Sequence, residues 1–536
     1  MSDAGSINKI ISEPNAKKYV KYTPLFKAPR RGSDESPFAA TAGGASCARS
    51  ASRAVGALLL LTLFCVGLLG TIIMWTTDIF DSLIDDRLVL RNNSAAFEAW
   101  RVSPVKPLMR FRFFNYTNLD AYRRGDDVRL RVEEVGPYTY TEATERVNVV
   151  FHDNGTITYQ NRRSYEFVPE ETNGTLDDVI VTVNVPLMTT NYMMRKTNYF
   201  QRLPMAAGLR LMAPEPLHAR TVREIFWGYT DPLTKIASIK MKDLKVGVLE
   251  QKNGTEPDAI TIHSGEGNLS LLGQISHFGG RDHVDYYTTE ECNRVDGSDG
   301  SKFPPPEVHP GGTLVIYHRD VCRRVLLVAH EYVSVFNGVP AIRFRPPPDL
   351  LADGDANPEN ACYCVPSTYD VCQPSGVMDT SNCKRNAPIY ASFPHFYLGD
   401  PILRDVVDGL QPDPQKHDLY LDIHERMGVP IGGRTRFQFN VLVKDTFNNF
   451  ILKRLDEKLL PFLWLERELT GFPPELQKIF YTVSVTVPKI KLALYCISPA
   501  LMLLTGVILL VWAGRVMCRL LREPLNPPEV YVMTRL

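Results

Sequence analysis

"AVGALLLLTLFCVGLLGTIIMW", residues 54 to 75, runs 22 positions without a charged side chain. As a helix rising 1.5 Å per residue it crosses a hydrocarbon core of about 30 Å. A second run, "LALYCISPALMLLTGVILLVWAG" at 492 to 514, does the same over 23 positions near the other end. Core helices seldom stay uncharged for so long. A signal peptide has a shorter apolar stretch and does not start 53 residues in. The pattern therefore predicts two transmembrane helices, 54–75 and 492–514, with residues 76–491 together on one side of the membrane and the tails 1–53 and 515–536 on the other.

Charge and sequons orient that arrangement. Nine Lys and Arg residues lie in the first tail, and Arg515, Arg519 and Arg522 follow the second run directly. This bias predicts cytosolic tails, although Lys489 and Lys491 stand on the far side of the second run. Asn-x-Ser/Thr occurs at Asn92, Asn115, Asn154, Asn173, Asn253 and Asn268, all between the runs. Six acceptors confined to one compartment predict a glycosylated exoplasmic ectodomain. Lys plus Arg and Asp plus Glu balance at 60 each, so no global field draws the chain to nucleic acid.

The compartment decides the chemistry of the cysteines. Of ten, Cys65 and Cys496 lie within the apolar runs and Cys47 and Cys518 in the tails; Cys292, Cys322, Cys362, Cys364, Cys372 and Cys383 all fall between. An even number in an oxidising compartment predicts three disulfides, with fifteen pairings open. Zinc is disfavoured, since no pair has finger spacing and Cys362-x-Cys364 is too tight.

Between the runs the pattern is mostly of period two. Val128, Leu130 and Val132 alternate with Arg129 and Arg131 before a break at Gly136-Pro137, and Phe437, Phe439, Val441 and Val443 alternate near the far end. Asn154-Gly155 sits between two such runs as a hairpin tip should. These signals predict a large antiparallel sheet or barrel. Helices are expected at Thr189 to Met212, broken near Pro204, and at Phe447 to Leu460, leading toward the membrane. From Met188 to His218, bulky apolar residues interleave with Arg195, Lys196, Arg202 and Arg210. That surface suits a ligand both greasy and anionic, but on patterning alone the segment reads first as an ordinary amphipathic helix pair packed on the sheet.

Six segments in fixed order, "FFNYTN" (113–118), "VEEVGPYTY" (132–140), "RTVREIFWGYTDPL" (220–233), "NACYCVPSTYDVC" (360–372), "PIYASFPHFYLGDP" (388–401) and "HDLYLDIHERMGVPI" (417–431), make the chain resemble the class B scavenger receptors. That family includes the fatty-acid translocase, the lysosomal integral membrane protein and the sensory neuron membrane proteins. The resemblance runs from Ala54 to Gly514. It implies an α+β fold: two transmembrane helices flanking an ectodomain with an antiparallel β-barrel-like core, a hydrophobic tunnel and an apical helical bundle, here about 188–218. It also implies the pairing Cys292–Cys362, Cys322–Cys383 and Cys364–Cys372. Ligand contacts are expected at the apex from Arg195, Lys196, Tyr199, Phe200, Arg202, Leu203, Leu209 and Arg210. Where family members carry Asp-Ile-Glu-Pro, this chain has Asp422-Ile423-His424-Glu425, which reads as a surface histidine or as a pH-responsive spot.

The tails carry short signals. Tyr22-Thr23-Pro24-Leu25 fits the tyrosine-based pattern of clathrin adaptors, a match short enough to arise by chance. Thr534-Arg535-Leu536 fits a PDZ groove, and Cys518 is a candidate for palmitoylation. The acidic dileucine of the family's lysosomal branch is missing from both tails, so plasma membrane is expected ahead of endosome or lysosome. Enzyme motifs fail: His330-Glu331 lacks a second histidine, Gly265-x-Gly267 has Ser270 where a third glycine belongs, and no Gly-x-Ser-x-Gly occurs. No catalysis and no cofactor or metal is expected. The predicted function is a receptor that binds fatty acids, phospholipids, sterols, carotenoids or lipoproteins at the apex and passes lipid through the tunnel. The alternatives are an endocytic or phagocytic receptor without transfer and, more remotely, a two-span ligand-gated channel.

Overall fold

The computed structural model describes residues 42–194, 197–233, 246–250, 252–364, 372–445 and 449–522, with the backbone alone at 42–51 and 450. The chain forms two compact units, residues 68–500 and residues 1–67 with 501–536.

The larger unit is built on strands β1 (Leu108–Tyr116), β2 (Leu130–Phe151), β3 (Thr156–Phe167), β4 (Val179–Val183), β5 (Leu217–Thr221), β6 (Gly254–Thr255), β7 (Ile260–His263), β8 (Ile275–Phe278), β9 (Thr313–His318), β10 (Arg323–Ser334), β11 (Pro340–Arg345), β12 (Val377–Asp379), β13 (Ile389–Ser392), β14 (Val407–Asp408), β15 (Tyr420–His424), β16 (Val429–Leu442) and β17 (Leu459–Glu468). Fifteen of them make one sheet, whose main path runs β8-β7-β3-β2-β1-β17-β16-β15-β11-β10-β9. Every pairing in it is antiparallel except that of β14 with β2. The two ends of the path nearly meet: the Ile275 N–H donates to Gly297 O, and the Ser298 N–H to Val315 O, so residues 297–298 stitch β8 to β9. Such closure removes the exposed sheet edges that invite aggregation.

Alternation within strands sets the faces. On β3, Arg162, Ser164 and Glu166 are exposed, while Arg163, Tyr165 and Phe167 alternate with them on the opposite, half-buried face. Phe111, Phe113, Tyr138, Tyr140 and Phe226 form one buried aromatic cluster, and Phe344, Phe393, Leu421 and Phe437 belong to another. A fully buried side chain of this size contributes about 2–3 kcal/mol.

Several expectations are corrected. Val128 is exposed and outside the sheet; β2 begins at Leu130. Gly136-Pro137 does not end the strand. β2 continues through it with one extra residue opposite the Phe111/Phe113 step, a bulge that hides the period. Gly136 is required there: its φ is +109°, and a Cβ would lie 2.8 Å from Phe111 O. The helical stretch at 189–212 is two helices, Val185–Met194 and Tyr199–Met212, with Pro204 inside the second. The helix expected over 447–460 is only Phe450–Leu455, capped by Asn449, and the chain then turns into β17; residues 446–448 lie outside the described ones. The Asn154-Gly155 hairpin is present, closed by the His152 N–H donating to Thr156 O at 2.9 Å.

The two apolar runs lie in helices Ser52–Thr76 and Pro474–Leu520, both long and apolar enough to span a membrane. The second starts well before Leu492 and contains a π-helical turn at Thr482–Thr486. Within the larger unit, Asp81 binds Lys491 Nζ at 2.6 Å, and Arg426 reaches Asp85 at 2.6 Å. Within the smaller unit the helices touch backbone to backbone: a Cβ on Gly67 would lie 2.8 Å from Met502 N, and one on Gly506 would lie 3.1 Å from the Phe64 ring.

Candidate functional site

The helix pair of residues 185–212 grows out of a two-stranded ribbon, with β4 leading into it and β5 leading out. Asn184 fixes the junction twice. Its Oδ1 accepts the Leu187 N–H at 3.1 Å as a helix cap, and its Nδ2 donates to Glu215 O at 3.0 Å across the ribbon. Asn115 Oδ1 accepts the Val181 N–H at 2.9 Å and ties β4 to β1. The second helix starts on Asn198, whose Oδ1 accepts the Gln201 N–H at 2.9 Å.

That helix shows an unusual division. Leu209 is 2 % exposed and packs in the core that holds Leu187, Met188 and Met194. Nearly everything else faces out. Phe200 is 85 % exposed and Leu211 88 %, with Tyr199, Leu203, Met205 and Met212 also open. Tyr199 and Phe200 meet edge to face at 5.9 Å. Arg210 is exposed in the last turn; Arg202 is half-buried and donates to Thr197 O at 3.1 Å. The structure thus gathers Tyr199, Phe200, Leu203, Arg202 and Arg210 on one helix. Arg195 and Lys196 lie outside the described residues. Helical phase, stepping 200, 204, 207, 211, singles out Leu211 rather than Leu209 as the outward leucine, a signal the composition of the segment obscures.

Beneath the helix pair, burial pushes the His218 imidazole down to about 4, helped by the nearby Arg220 guanidinium. The His218 ring lies 5.5 Å from Tyr229, over which Arg220 also stacks at 4.5 Å. Farther away, a groove of about 500 Å³ lined by Gln274, Asp296, Glu307, His309 and Thr313 is polar and offers an acyl chain little apolar wall.

Cys292 is joined to Cys362, Cys322 to Cys383 and Cys364 to Cys372, with Cα–Cα distances of 6.0, 6.3 and 5.6 Å. Asn92, Asn154, Asn173, Asn253 and Asn268 are exposed, whereas Asn115 is half-buried in β1. Cys518 is an exposed free thiol. Tyr22, Leu25, Thr534 and Leu536 lie outside the described residues.

The surface reading of His424 is overturned. It is 1 % exposed, because the helix beginning at Pro474 lays Phe480 over it with ring centroids 5.5 Å apart. Nδ1 accepts the Met427 N–H at 3.2 Å, so the neutral ring carries its proton on Nε2 and donates to Ser484 Oγ at 2.5 Å. Burial pushes this imidazole down to about 4, opposed only by backbone groups of Phe480 and His424 itself.

A model of the CD36 family matches residues 57–517. Scavenger receptor class B member 1 of Bos taurus is 31% identical over 455 residues, 84% of this chain and 86% of that protein. The Mus musculus protein of the same name is 31% identical over 481 residues, 88% and 90% of the two chains. Lysosome membrane protein 2 of Homo sapiens is 33% identical over 368 residues, 68% of this chain and 75% of that one.

Proposed function

The chain belongs to the CD36 family of membrane receptors, and from that premise we propose that it captures lipid or lipoprotein at helix Tyr199–Met212 and passes lipid through the ectodomain interior to the outer leaflet. In this reading both tails are cytosolic, the ectodomain is glycosylated, and the protein works at the plasma membrane without catalysis. The observation that carries it is the helix itself, which holds large apolar side chains in solvent with Arg202 and Arg210 among them. An isolated domain gains nothing from such exposure; a surface that meets lipid does. Transfer needs no energy source. Each methylene taken from water contributes about 0.8 kcal/mol, so an 18-carbon chain gains on the order of 10 kcal/mol before entropic losses.

Capture and transfer are separable in cells expressing variants at equal surface levels. Phe200→Asp with Leu211→Asp should abolish particle binding. Thr144→Trp places bulk on the sheet face that Arg163, its partner in register, shares with the buried Glu142, so in this reading it should leave particle binding intact and cut lipid uptake. Uptake undiminished in Thr144→Trp would refute transfer and leave the second reading, a receptor that internalises its ligand whole. Kinship with a lysosome membrane protein favours keeping that second reading in view.

A further inference from the structure

The polar groove beside the seam of the sheet is walled by unused hydrogen-bonding groups. Gln274, Glu307 and Thr313 line it, and among the described residues their side chains make no hydrogen bond or ion pair. The His309 ring donates from Nδ1 to Pro310 O at 2.9 Å, which leaves Nε2 of the neutral ring as an acceptor. Asp296, by contrast, is already paired: Arg294 lies 2.6 Å and Arg324 2.5 Å from its carboxylate. Two guanidinium groups at that end disfavour a cationic ligand, and no set of three His, Cys, Asp or Glu side chains among the described residues is placed to hold a metal ion. Burial pushes the Glu307 carboxyl up, and no cation pulls it back. The wall therefore suits an uncharged ligand rich in hydroxyls, whose donors reach acceptors that no protein group uses. Its volume of about 500 Å³ falls within the roughly 300–1,000 Å³ of a small-ligand cleft.

Such a ligand can be tethered at the edge of the groove. Asn268, exposed and an N-glycan acceptor by its sequon, stands at the start of the short helical turn Leu269–Leu271. Its Oδ1 accepts the Ser270 N–H at 3.0 Å, so the amide is held beside the turn with Nδ2, the atom a sugar takes, uncommitted. The turn leads directly to the groove. The Gln274 N–H donates to Leu271 O at 3.0 Å, and Leu269–Leu271 packs on the turn Pro305–Glu307, which carries Pro306 and Glu307 into the wall. Leu271, 40 % exposed, and the exposed Pro306 offer apolar surface to the C–H faces of a sugar ring.

We propose that the groove seats the first sugars of an N-glycan on Asn268, and that the seated glycan braces the seam where residues 297–298 close the sheet. Gly297 and Val315 line the same groove, and their carbonyls accept the Ile275 and Ser298 N–H groups of that seam. A sugar spanning Gln274, Glu307 and Thr313 links the β8 side, the Pro305–Glu307 turn and β9. Covalent tethering holds it at high effective concentration, so hydroxyl contacts that are weak one by one suffice. The inference rests on the reading that the ectodomain is glycosylated, and it gives one of those glycans a structural post.

The test uses the full chain purified with its glycans and placed in lipid nanodiscs. Glycopeptide mass spectrometry reads occupancy at each acceptor, and hydrogen exchange reads the seam amides of Ile275 and Ser298. Ser270→Ala removes the sequon and should raise exchange at the seam at least about fivefold, the worth of one neutral hydrogen bond. Ser270→Thr keeps the sequon and should leave exchange unchanged. Gln274→Ala with Thr313→Ala in the glycosylated chain should raise it as much as Ser270→Ala does, and should add nothing on top of that variant. Asn92→Gln, which removes a sugar elsewhere, should be silent at the seam. A glycan present on Asn268 with seam exchange unchanged in Ser270→Ala overturns the seat and leaves the glycosylated ectodomain standing. Equal increases in Ser270→Ala and Asn92→Gln, or full additivity of the groove variant with Ser270→Ala, overturn it as well. A bare Asn268 with sugar on other acceptors also overturns the seat; sugar on none of the six overturns both readings.

Discussion

Acid should weaken this receptor through His424, and the amount follows from its surroundings. The ring is buried beneath Phe480, bonded at both nitrogens, and pushed from 6.5 down to about 4. The unfolded chain therefore takes up a proton near pH 6.5 that the folded chain refuses until about pH 4, so stability is complete above that window and falls as pH drops through it. Fully developed, the loss is about 3 kcal/mol; between pH 7.5 and pH 5 it is about 2 kcal/mol. His218, His318 and His417 are also held near 4, so wild type should lose more than His424 alone accounts for. The comparison with His424→Gln cancels those shared terms. Urea unfolding of the full chain in detergent, at pH 7.5 and pH 5.0 for both proteins, gives the double difference: the glutamine variant should lose about 2 kcal/mol less than wild type on acidification. A double difference within about 0.5 kcal/mol of zero, the scatter of additive comparisons, would refute the assignment of the neutral buried tautomer.

Other predictions address the staples, the apolar helices and helix Tyr199–Met212. Serine replacement of Cys292 and Cys362, 70 residues apart, should cost about 4 kcal/mol, against about 2.5 for Cys364 and Cys372, 8 apart; a reversed order of urea midpoints would contradict the loop-entropy account. Gly67→Leu should destabilise by about 1–3 kcal/mol by driving a side chain into the Met502 backbone, while Gly56→Leu, with nothing within 4 Å, should be silent in detergent melting curves. Phe200→Asp and Leu211→Asp should each change stability by less than about 0.5 kcal/mol, whereas Leu209→Asp, 2 % exposed, should lower it by several kcal/mol in the same melts.

Sequence patterning carried the architecture as far as local signals reach. The apolar runs, the β2–β3 hairpin and the antiparallel sheet were all legible because each is announced by neighbours in the chain. What failed did so where distant residues intervene. Nothing near Asp422-Ile423-His424 announces that Phe480 will cover it, some sixty positions away. The bulge at Gly136-Pro137 breaks the period without breaking the strand, since the partner β1 supplies the hydrogen bonds. Pro204 misled in the opposite sense: exposed in the second turn, it costs the helix a bond and does not end it. The ion pairs that link Glu142, Arg163, Arg467, Lys252, Asp320 and Lys384 into one neighbourhood are invisible in the sequence, because these residues come from β2, β3, β17 and separate loops that only the tertiary fold brings together.

The junction built by Asn115 and Asn184 has an evolutionary corollary. The ribbon grips the sheet through side-chain amides and backbone, and Leu209 with the buried residues of the first helix seats the pair, while Phe200, Leu203 and Leu211 stand in solvent. Substitutions at those three exposed positions cost the scaffold little, so that surface can drift through its codons while the scaffold below stays under ordinary purifying constraint.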